Sequence, residues 1–255
     1  MSEEEGEEGK SLVNWEERMA QDAKDAASVE RPSISSISLR GGIMSYMDTE
    51  VPGNKIPCVV LSSVIEQSYY DQPYDANNII PPTCFALGKP GEEEFMAPHK
   101  DVPPAQRGHG VACNSCEFFQ WGSGRGKGKA CGTRRRLALI PTTALETDED
   151  LDKAEIAVLK VPVTSVRNWS SYVNGVSAEH ARPTWGVITE ISLKPDAKTT
   201  FKVLFSALGL IEVSRLPRLQ PLIERAQNIL HTPFDMAVSS DVSEPEETPK
   251  GKKKY

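Results

Sequence analysis

The chain has 255 residues, of which 38% are hydrophobic and 7% aromatic, and it carries a net charge of −7. This length allows one large domain or one domain with appended segments, and the 18 glycines and 19 prolines indicate that much of it forms loops. The sequence contains no apolar run of about 18 residues, and it begins with acidic rather than basic and then apolar residues. We therefore expect neither a membrane span nor a secretory signal.

The negative charge is concentrated near one end of the chain. The first 30 residues hold ten acidic and three basic residues, so the remaining sequence is neutral overall. Between Lys100 and Arg136, however, eight basic residues stand against two acidic ones. This distribution predicts a basic patch and a separate acidic arm, and a basic patch is typical of surfaces that bind polyanions.

The first predicted elements are an arm and a helix. Residues 1–10 are acidic and low in complexity, and we expect them to be disordered because like charges repel and no apolar surface is available for burial. Residues 11–32 follow as an amphipathic helix and a linker, with Leu12, Trp15 and Met19 at helical spacing. This helix would either cover part of the core or serve as a detachable arm for protein interactions.

Six segments after residue 32 have the pattern of β-strands. They are residues 33–42, 56–66, 135–141, 155–163, 185–194 and 199–208. The last two flank a turn signal at Pro195-Asp196 and are typical of a hairpin, which favours an antiparallel sheet. Residues 164–176, which end in an Asn-Gly turn signal, and residues 216–230 have the periodicity of helices.

Several short strands, irregular connections and few helices predict a mainly β fold. The pattern fits an oligonucleotide-binding (OB) fold, a Greek-key barrel, with a long insertion and a few peripheral helices. Residues 33–236 would form this single OB-like domain, and residues 237–255 would form a disordered C-terminal tail. The insertion, at about residues 80–135, is rich in proline and glycine, and such a long loop inside a compact domain needs a cross-link.

The cysteines indicate what this cross-link is, because thiols in a chain without a secretory signal are usually free or bound to metal. Cys113 and Cys116 form a C-x-x-C pair, with Cys84 upstream and Cys131 downstream, all in turn-rich contexts. A two-residue spacer lets two thiolates face one ion, and two such arms complete the tetrahedron of a structural Zn²⁺ site. Cys58 lies inside a predicted strand and is interpreted as a buried core thiol.

Two alternatives to this ligand set stay open. His99 or His109 could replace Cys84, since imidazole is an equally good zinc ligand, or the thiols could be scattered and without metal. A catalytic metal is disfavoured because the H-x-E element that deaminases place before P-C-x-x-C is absent from the sequence, as is the H-E-x-x-H motif. We therefore expect that the protein is not an enzyme.

The stretch after the C-x-x-C pair, EFFQWGSGRGKGKACGTRRRL, combines aromatic, basic and glycine residues. Cations beside aromatic rings suit a single strand of nucleic acid, in which each base stacked on a ring contributes about 1–3 kcal/mol. The candidate nucleic-acid-binding residues are Phe119, Trp121, Arg125, Lys127, Lys129, Arg134, Arg135 and Arg136. A merely solvated basic loop is the alternative. The glycines match neither the phosphate-binding nor the dinucleotide-binding motif, so no nucleotide hydrolysis is implied.

Three blocks of this sequence resemble tailed-bacteriophage zinc-containing single-stranded DNA-binding (helix-destabilising) proteins. The blocks are YYDQPYDANNIIPPTCFA, APHK and CNSCEFFQWGSGRGKGKACGTRRRLAL, and the resemblance covers roughly residues 35–215. It implies an OB barrel, a zinc-stabilised loop, a role in phage DNA replication or recombination, and a location in the cytoplasm of the infected bacterial host. The chain departs from this group in residues 241–255, which hold four acidic residues against four lysines instead of a strongly acidic tail.

Residues and resemblance together predict a sequence-tolerant single-stranded DNA-binding protein with structural Zn²⁺. The acidic arm, residues 1–10, would compete with DNA for the basic groove and could recruit replication or recombination proteins. The alternative function is a zinc-stabilised protein-interaction adaptor, acting on host polymerase or in virion assembly, without nucleic-acid binding. The sequence leaves open whether the strand is DNA or RNA, the length of strand that is bound, and the oligomeric state.

Overall fold

The computed structural model describes residues 35–47, 49–73, 80–108 and 112–232, together with five residues near the N-terminus. The chain divides into two compact units, Met1–Ser33 and Ile34–Tyr255. The predictions made for residues 1–10 and 237–255 lie outside the described residues.

In the first unit the described residues, Trp15, Arg18, Met19, Gln21 and Asp22, are helical. The guanidinium of Arg18 lies 5.5 Å from the centre of the Trp15 ring. The side chains of Trp15 and Met19 are both exposed.

The second unit is built on a curled, mixed β-sheet that forms a half-barrel. Its strands are β1 (Ser36–Ser38), β2 (Ser45–Tyr46), β3 (Thr49–Glu50), β4 (Lys55–Tyr69), β5 (Cys84–Gly88), β6 (Gly132–Pro141), β7 (Ala157–Val161), β8 (Val187–Asp196) and β9 (Thr200–Leu210). The order across the sheet is β3-β2-β1-β7-β6-β4-β8-β9, and β5 pairs with the far end of β4. The predicted mainly β fold is thus confirmed, whereas the OB topology stays a prediction.

The expectation of a purely antiparallel sheet is wrong at one strand pair. β1 runs parallel to β7, with Ile37 opposite Leu159, and the N–H of Val158 donates to the carbonyl of Ser35 at 2.7 Å. Every other pairing between the described strands is antiparallel, including the predicted β8–β9 hairpin. Alternation of side chains identifies a strand but not the direction of its neighbour, which is why the sequence did not reveal this pair.

Within the described part of this unit three α-helices accompany the sheet: α1 (Asp148–Asp152), α2 (Val166–His180) and α3 (Leu216–Leu230). The bounds of α3 agree with the prediction. The predicted end of α2 at residue 176 is wrong, because the helix continues through the Asn-Gly pair to His180 and is followed by Ala181, whose φ is 50°. Burial of Val176 offsets the helix-breaking tendency of Gly175, which is about 1 kcal/mol. In the part of the chain that the structure describes, no helix is long and apolar enough to cross a membrane.

The hydrophobic core has one layer on each face of the sheet. α3 covers one face, where Leu219, Leu222 and Leu230 pack against side chains of β4 and β6. α2 covers the other face through Trp169, in a second cluster that contains Cys58. The prediction that Cys58 is a core thiol is therefore confirmed.

Candidate functional site

The candidate site is built at the end of β4 where that strand pairs with both β5 and β6. Successive side chains of a strand point to opposite faces of a sheet. Gln67 and Tyr69 accordingly line a cavity beneath the cysteine-containing loops, while Glu66 points to the opposite face and approaches Arg136. The two faces of this strand end carry different chemistry.

On the first face the loops are fastened by backbone and ring contacts. The N–H of Cys113 donates to the carbonyl of Met96 at 2.7 Å, and the N–H of Cys131 donates to the carbonyl of Phe118 at 2.8 Å. The ring of Phe118 stacks on Tyr69 of β4 with 4.0 Å between ring centres. The stack of Phe118 on Tyr69 therefore attaches the segment 113–131 to the sheet, and the two hydrogen bonds fasten its ends to Met96 and to Phe118.

The structure brings the four predicted zinc-ligand cysteines to one cavity. Cys84, Cys113, Cys116 and Cys131 all line it, and its volume is about 20 Å³. A volume of this size holds about one water-sized sphere. Residues that are up to 47 positions apart in the sequence therefore surround a space that suits a single small ion.

The thiols are close enough to affect one another's ionisation. Burial, followed by the neighbouring cysteines, raises the pKa of Cys113 and the pKa of Cys131 to about 12 each. The pKa of Cys84 is also raised, first by burial and then by Cys116, against the opposing effect of a hydrogen bond from the backbone of Gly108. A bound cation would reverse this mutual repulsion, because it stabilises the thiolate form of each ligand.

Within the described residues, however, no three histidine, cysteine, aspartate or glutamate side chains are arranged as a metal-binding group. The zinc ion, its ligand set and the zinc-stabilised insertion accordingly stay predictions. Of the alternative ligands, His99 stacks on Phe85, its Nδ1 accepts a hydrogen bond of 3.3 Å from the N–H of Asp101, and it does not line the cavity. His109 lies outside the described residues.

Gly108 is a residue of this cavity that the sequence analysis missed. A Cβ atom at position 108 would lie 2.4 Å from the sulfur of Cys116, far inside van der Waals contact. The backbone of Gly108 also donates to Cys84, so this glycine touches two of the four cysteines. The RGHG sequence gave no signal of this role, because the approach of Gly108 to the sulfurs is purely tertiary.

The glycine-rich loop between Gln120 and Cys131 is folded back on itself. The N–H groups of Gly122 and Gly124 both donate to the carbonyl of Gly128 at 3.0 Å, and the N–H of Ala130 donates to the hydroxyl of Ser123, also at 3.0 Å. A Cβ atom at position 124 would lie 2.7 Å from the backbone of Lys129, so this crossing requires glycine.

This fold of the loop gathers its aromatic and basic side chains. The Trp121 side chain is 79% exposed, which is rare for an indole, while Phe119 is half-buried. The ammonium of Lys129 lies 3.5 Å from the centre of the Phe119 ring and 5.3 Å from that of Trp121. Arg125 and Lys127 are exposed on the same loop.

The three consecutive arginines have a different environment, because they lie in β6. Arg134 donates to the hydroxyl of Ser68 at 3.1 Å, and Arg135 approaches Glu93 at 3.5 Å. Arg136 is 5% exposed and donates to the carbonyl of Thr232 at 3.2 Å. Alternation along the strand separates Arg135 from the other two, a placement that the strand prediction could have revealed.

No protein-family model, no curated protein sequence and no solved structure matches this chain.

Proposed function

We propose that the protein binds single-stranded DNA with little sequence preference, as a non-enzymatic component of phage DNA replication or recombination. The observation that carries this proposal is the exposed indole of Trp121 beside Phe119 and Lys129, on a loop that also presents Arg125 and Lys127. A water-exposed ring next to several cations has little value for folding, but it matches an unpaired base and its phosphates.

In this proposal bases stack on Trp121 and on the accessible part of Phe119, while the loop cations contact phosphates. Stacking tolerates any base because every base has a π-face, so binding would be largely independent of sequence. Phosphate contacts release counterions, so the logarithm of the binding constant would fall linearly with the logarithm of the salt concentration. The proposed contacts are to bases and phosphates and do not involve the 2′-hydroxyl, so they would not distinguish RNA from DNA.

A structural Zn²⁺ at the four cysteines would hold the loop in its binding conformation. The support is that all four line one cavity large enough for one ion, and that their sulfurs interact electrostatically. When bound, zinc supplies a closed tetrathiolate cross-link and no reactive position. The curled half-barrel on which the loop rests supports the finer proposal of an OB-like platform, although one of its strand pairs is parallel.

The binding role is concentrated in the loop rather than in the arginine run. Arg135 is largely buried and interacts with Glu93, and Arg136 is buried against Glu66. Burying a charge is costly unless it is paired, so these two arginines are committed to the fold. Arg134 remains available for phosphate because its side chain is 33% exposed.

Titration of the intrinsic fluorescence with poly(dT) tests the proposal. We expect quenching in the wild type, loss of most of it in Trp121→Phe, and its retention in Trp15→Phe, which removes another exposed indole. The remaining tryptophans, Trp169 and Trp185, are buried or half-buried and would respond little. A flat titration of the wild type would reject single-strand binding and favour the protein-interaction adaptor.

A further inference from the structure

The face of β4 and β6 opposite the cysteine cavity carries a cationic cluster around a buried carboxylate. Glu66 is 1% exposed, and three cationic groups approach its oxygens. They are Arg136 Nε at 3.6 Å, Lys160 Nζ at 3.9 Å and Arg134 Nη1 at 4.0 Å. Of the residues that the proposed function assigns to single-strand binding, only Arg134 lies on this face.

The strand register explains why these side chains meet. Glu66 of β4 lies directly opposite Arg134 of β6, and Arg136 of β6 lies directly opposite Lys160 of β7. Side chains that oppose one another in adjacent strands share a face of the sheet. The cluster is therefore a fixed part of three hydrogen-bonded strands rather than a chance contact between flexible loops.

Among the residues that the structure describes, the cluster holds more positive than negative charge. Even without Lys160, two guanidinium groups approach the single carboxylate of Glu66. The carbonyl of Thr232, just beyond the C-terminus of α3, compensates Arg136 in part, since the end of a helix carries about half a negative charge. Burial, opposed by Glu66 and reinforced by both arginines, lowers the pKa of Lys160 to about 8.

The cluster also has polar atoms that the described residues leave without hydrogen bonds. Both carboxylate oxygens of Glu66 and the Nε of Arg136 are buried and lack a hydrogen-bond partner there. The side chains of Arg134 and Lys160 are 33% and 40% exposed, so the cluster opens to solvent on that side. The ring of Tyr70 lies 6.0 Å from the Arg134 guanidinium and borders the opening.

We propose that Arg134 and Lys160, backed by Arg136, form a binding site for a phosphate group. Arginine presents a planar pair of donors that matches two phosphate oxygens, and lysine adds a compact charge. Glu66 lies behind the cations and acts as a positioning residue that holds them towards the opening. The phosphate can belong to a free phosphate ion or to the backbone of a nucleic acid, and the site itself does not depend on the proposed stacking function.

Binding of inorganic phosphate to the full chain tests the site. Isothermal titration compares the wild type with Lys160→Met and Arg134→Gln, at constant ionic strength maintained with chloride. Lys153→Met is the matched control, because it removes one exposed lysine charge next to α1, outside both proposed sites. Each cluster variant should weaken phosphate binding by about tenfold or more, the effect of losing one charged hydrogen-bond donor, whereas the control should not.

Equal phosphate affinity in all four proteins, or no binding by the wild type, would overturn the proposal. Thermal unfolding in chloride establishes that the variants are folded, and Lys160→Arg should restore binding if charge at this position is what matters. A variant that unfolds is replaced by the other cluster variant.

A second titration, with oligo(dT) at several salt concentrations, distinguishes a free phosphate ion from a backbone phosphate of a nucleic acid. If the site takes a backbone phosphate, Lys160→Met should reduce the salt slope by about 0.7, the value for one contact in a single strand. If the slope is unchanged while inorganic phosphate binding is lost, the ligand is a free phosphate ion. Trp121→Phe distinguishes base stacking from phosphate binding. It should remove most of the fluorescence quenching by poly(dT) and leave the binding of inorganic phosphate intact.

Discussion

The ammonium of Lys129 lies over the ring of the half-buried Phe119, 3.5 Å from the ring centre. A cation over an aromatic face contributes about 0.5–1 kcal/mol at an exposed site. Lys129 therefore organises the rings of the loop and places a positive charge where the phosphate next to a stacked base would lie.

Replacement of Lys129 should weaken single-strand binding. In Lys129→Met we expect lower affinity for poly(dT) and a salt slope smaller by about 0.7, because one phosphate contact is lost. Lys129→Arg should retain both, since guanidinium also stacks on rings. Lys153→Met, which removes an exposed lysine of the α1 region, is the control. Unchanged affinity and slope in Lys129→Met would remove this residue from the interface.

The purified protein should contain one equivalent of zinc, measured by elemental analysis. Cys116→Ser and Cys131→Ser should each lose most of it, because a serine hydroxyl is a poor replacement for a thiolate ligand. Cys58→Ser should keep the metal, since Cys58 lies in the core between the sheet and α2. Full zinc content in the first two variants would contradict the tetrathiolate site.

Gly108→Ala should impair the cysteine cavity without altering any cysteine. The added methyl group would lie 2.4 Å from the sulfur of Cys116, so either the loop or the sulfur must move. We expect weaker zinc retention in competition with a chelator. Gly175→Ala is the matched control, because no atom lies within 4 Å of its added Cβ, and alanine should stabilise α2 by about 1 kcal/mol. Equal zinc retention in Gly108→Ala and the wild type would contradict a role for this close approach.

Asp196, in the β8–β9 hairpin, should make the free energy of unfolding depend on pH in the acidic range. Hydrogen bonds from Lys202 and Thr199 lower the pKa of Asp196 from 3.8 to about 2. A carboxyl whose pKa is lowered by folding contributes its stability above the unfolded pKa and loses it as the pH falls through the folded pKa. Asp196→Asn should therefore lower the Tm at pH 7, and the difference should vanish near pH 2. A difference that persists at low pH would assign the effect to packing.

The parts of this structure that the sequence revealed are those set by local pattern. α3 has its predicted bounds because leucine spacing alone defines it, and the β8–β9 hairpin follows from alternation on both sides of a turn signal. The convergence of four cysteines on one cavity also agrees with a pattern in the sequence, since a C-x-x-C pair flanked by two further cysteines is typical of metal sites.

What the sequence did not reveal depends on partners that are distant along the chain. The parallel pairing of β1 with β7, the stacking of Tyr69 on Phe118 and the approach of Gly108 to Cys116 have no local signature. The sequence predicts one uniform basic patch for the three arginines, but alternation along β6 divides them between the two faces of the sheet. Glu66 of β4 then neutralises part of the positive charge of Arg134 and Arg136.

The long central strand β4 affects how the chain folds during its synthesis. Its most apolar part, around Cys58 and Val60, pairs only with residues of β6 and β8. These partners emerge from the ribosome more than 75 residues later. Non-local pairing of this kind slows folding. It also leaves an apolar strand edge unpaired until the partner strands have been synthesised. We therefore expect the nascent chain to be prone to aggregation until the β8–β9 hairpin has been translated.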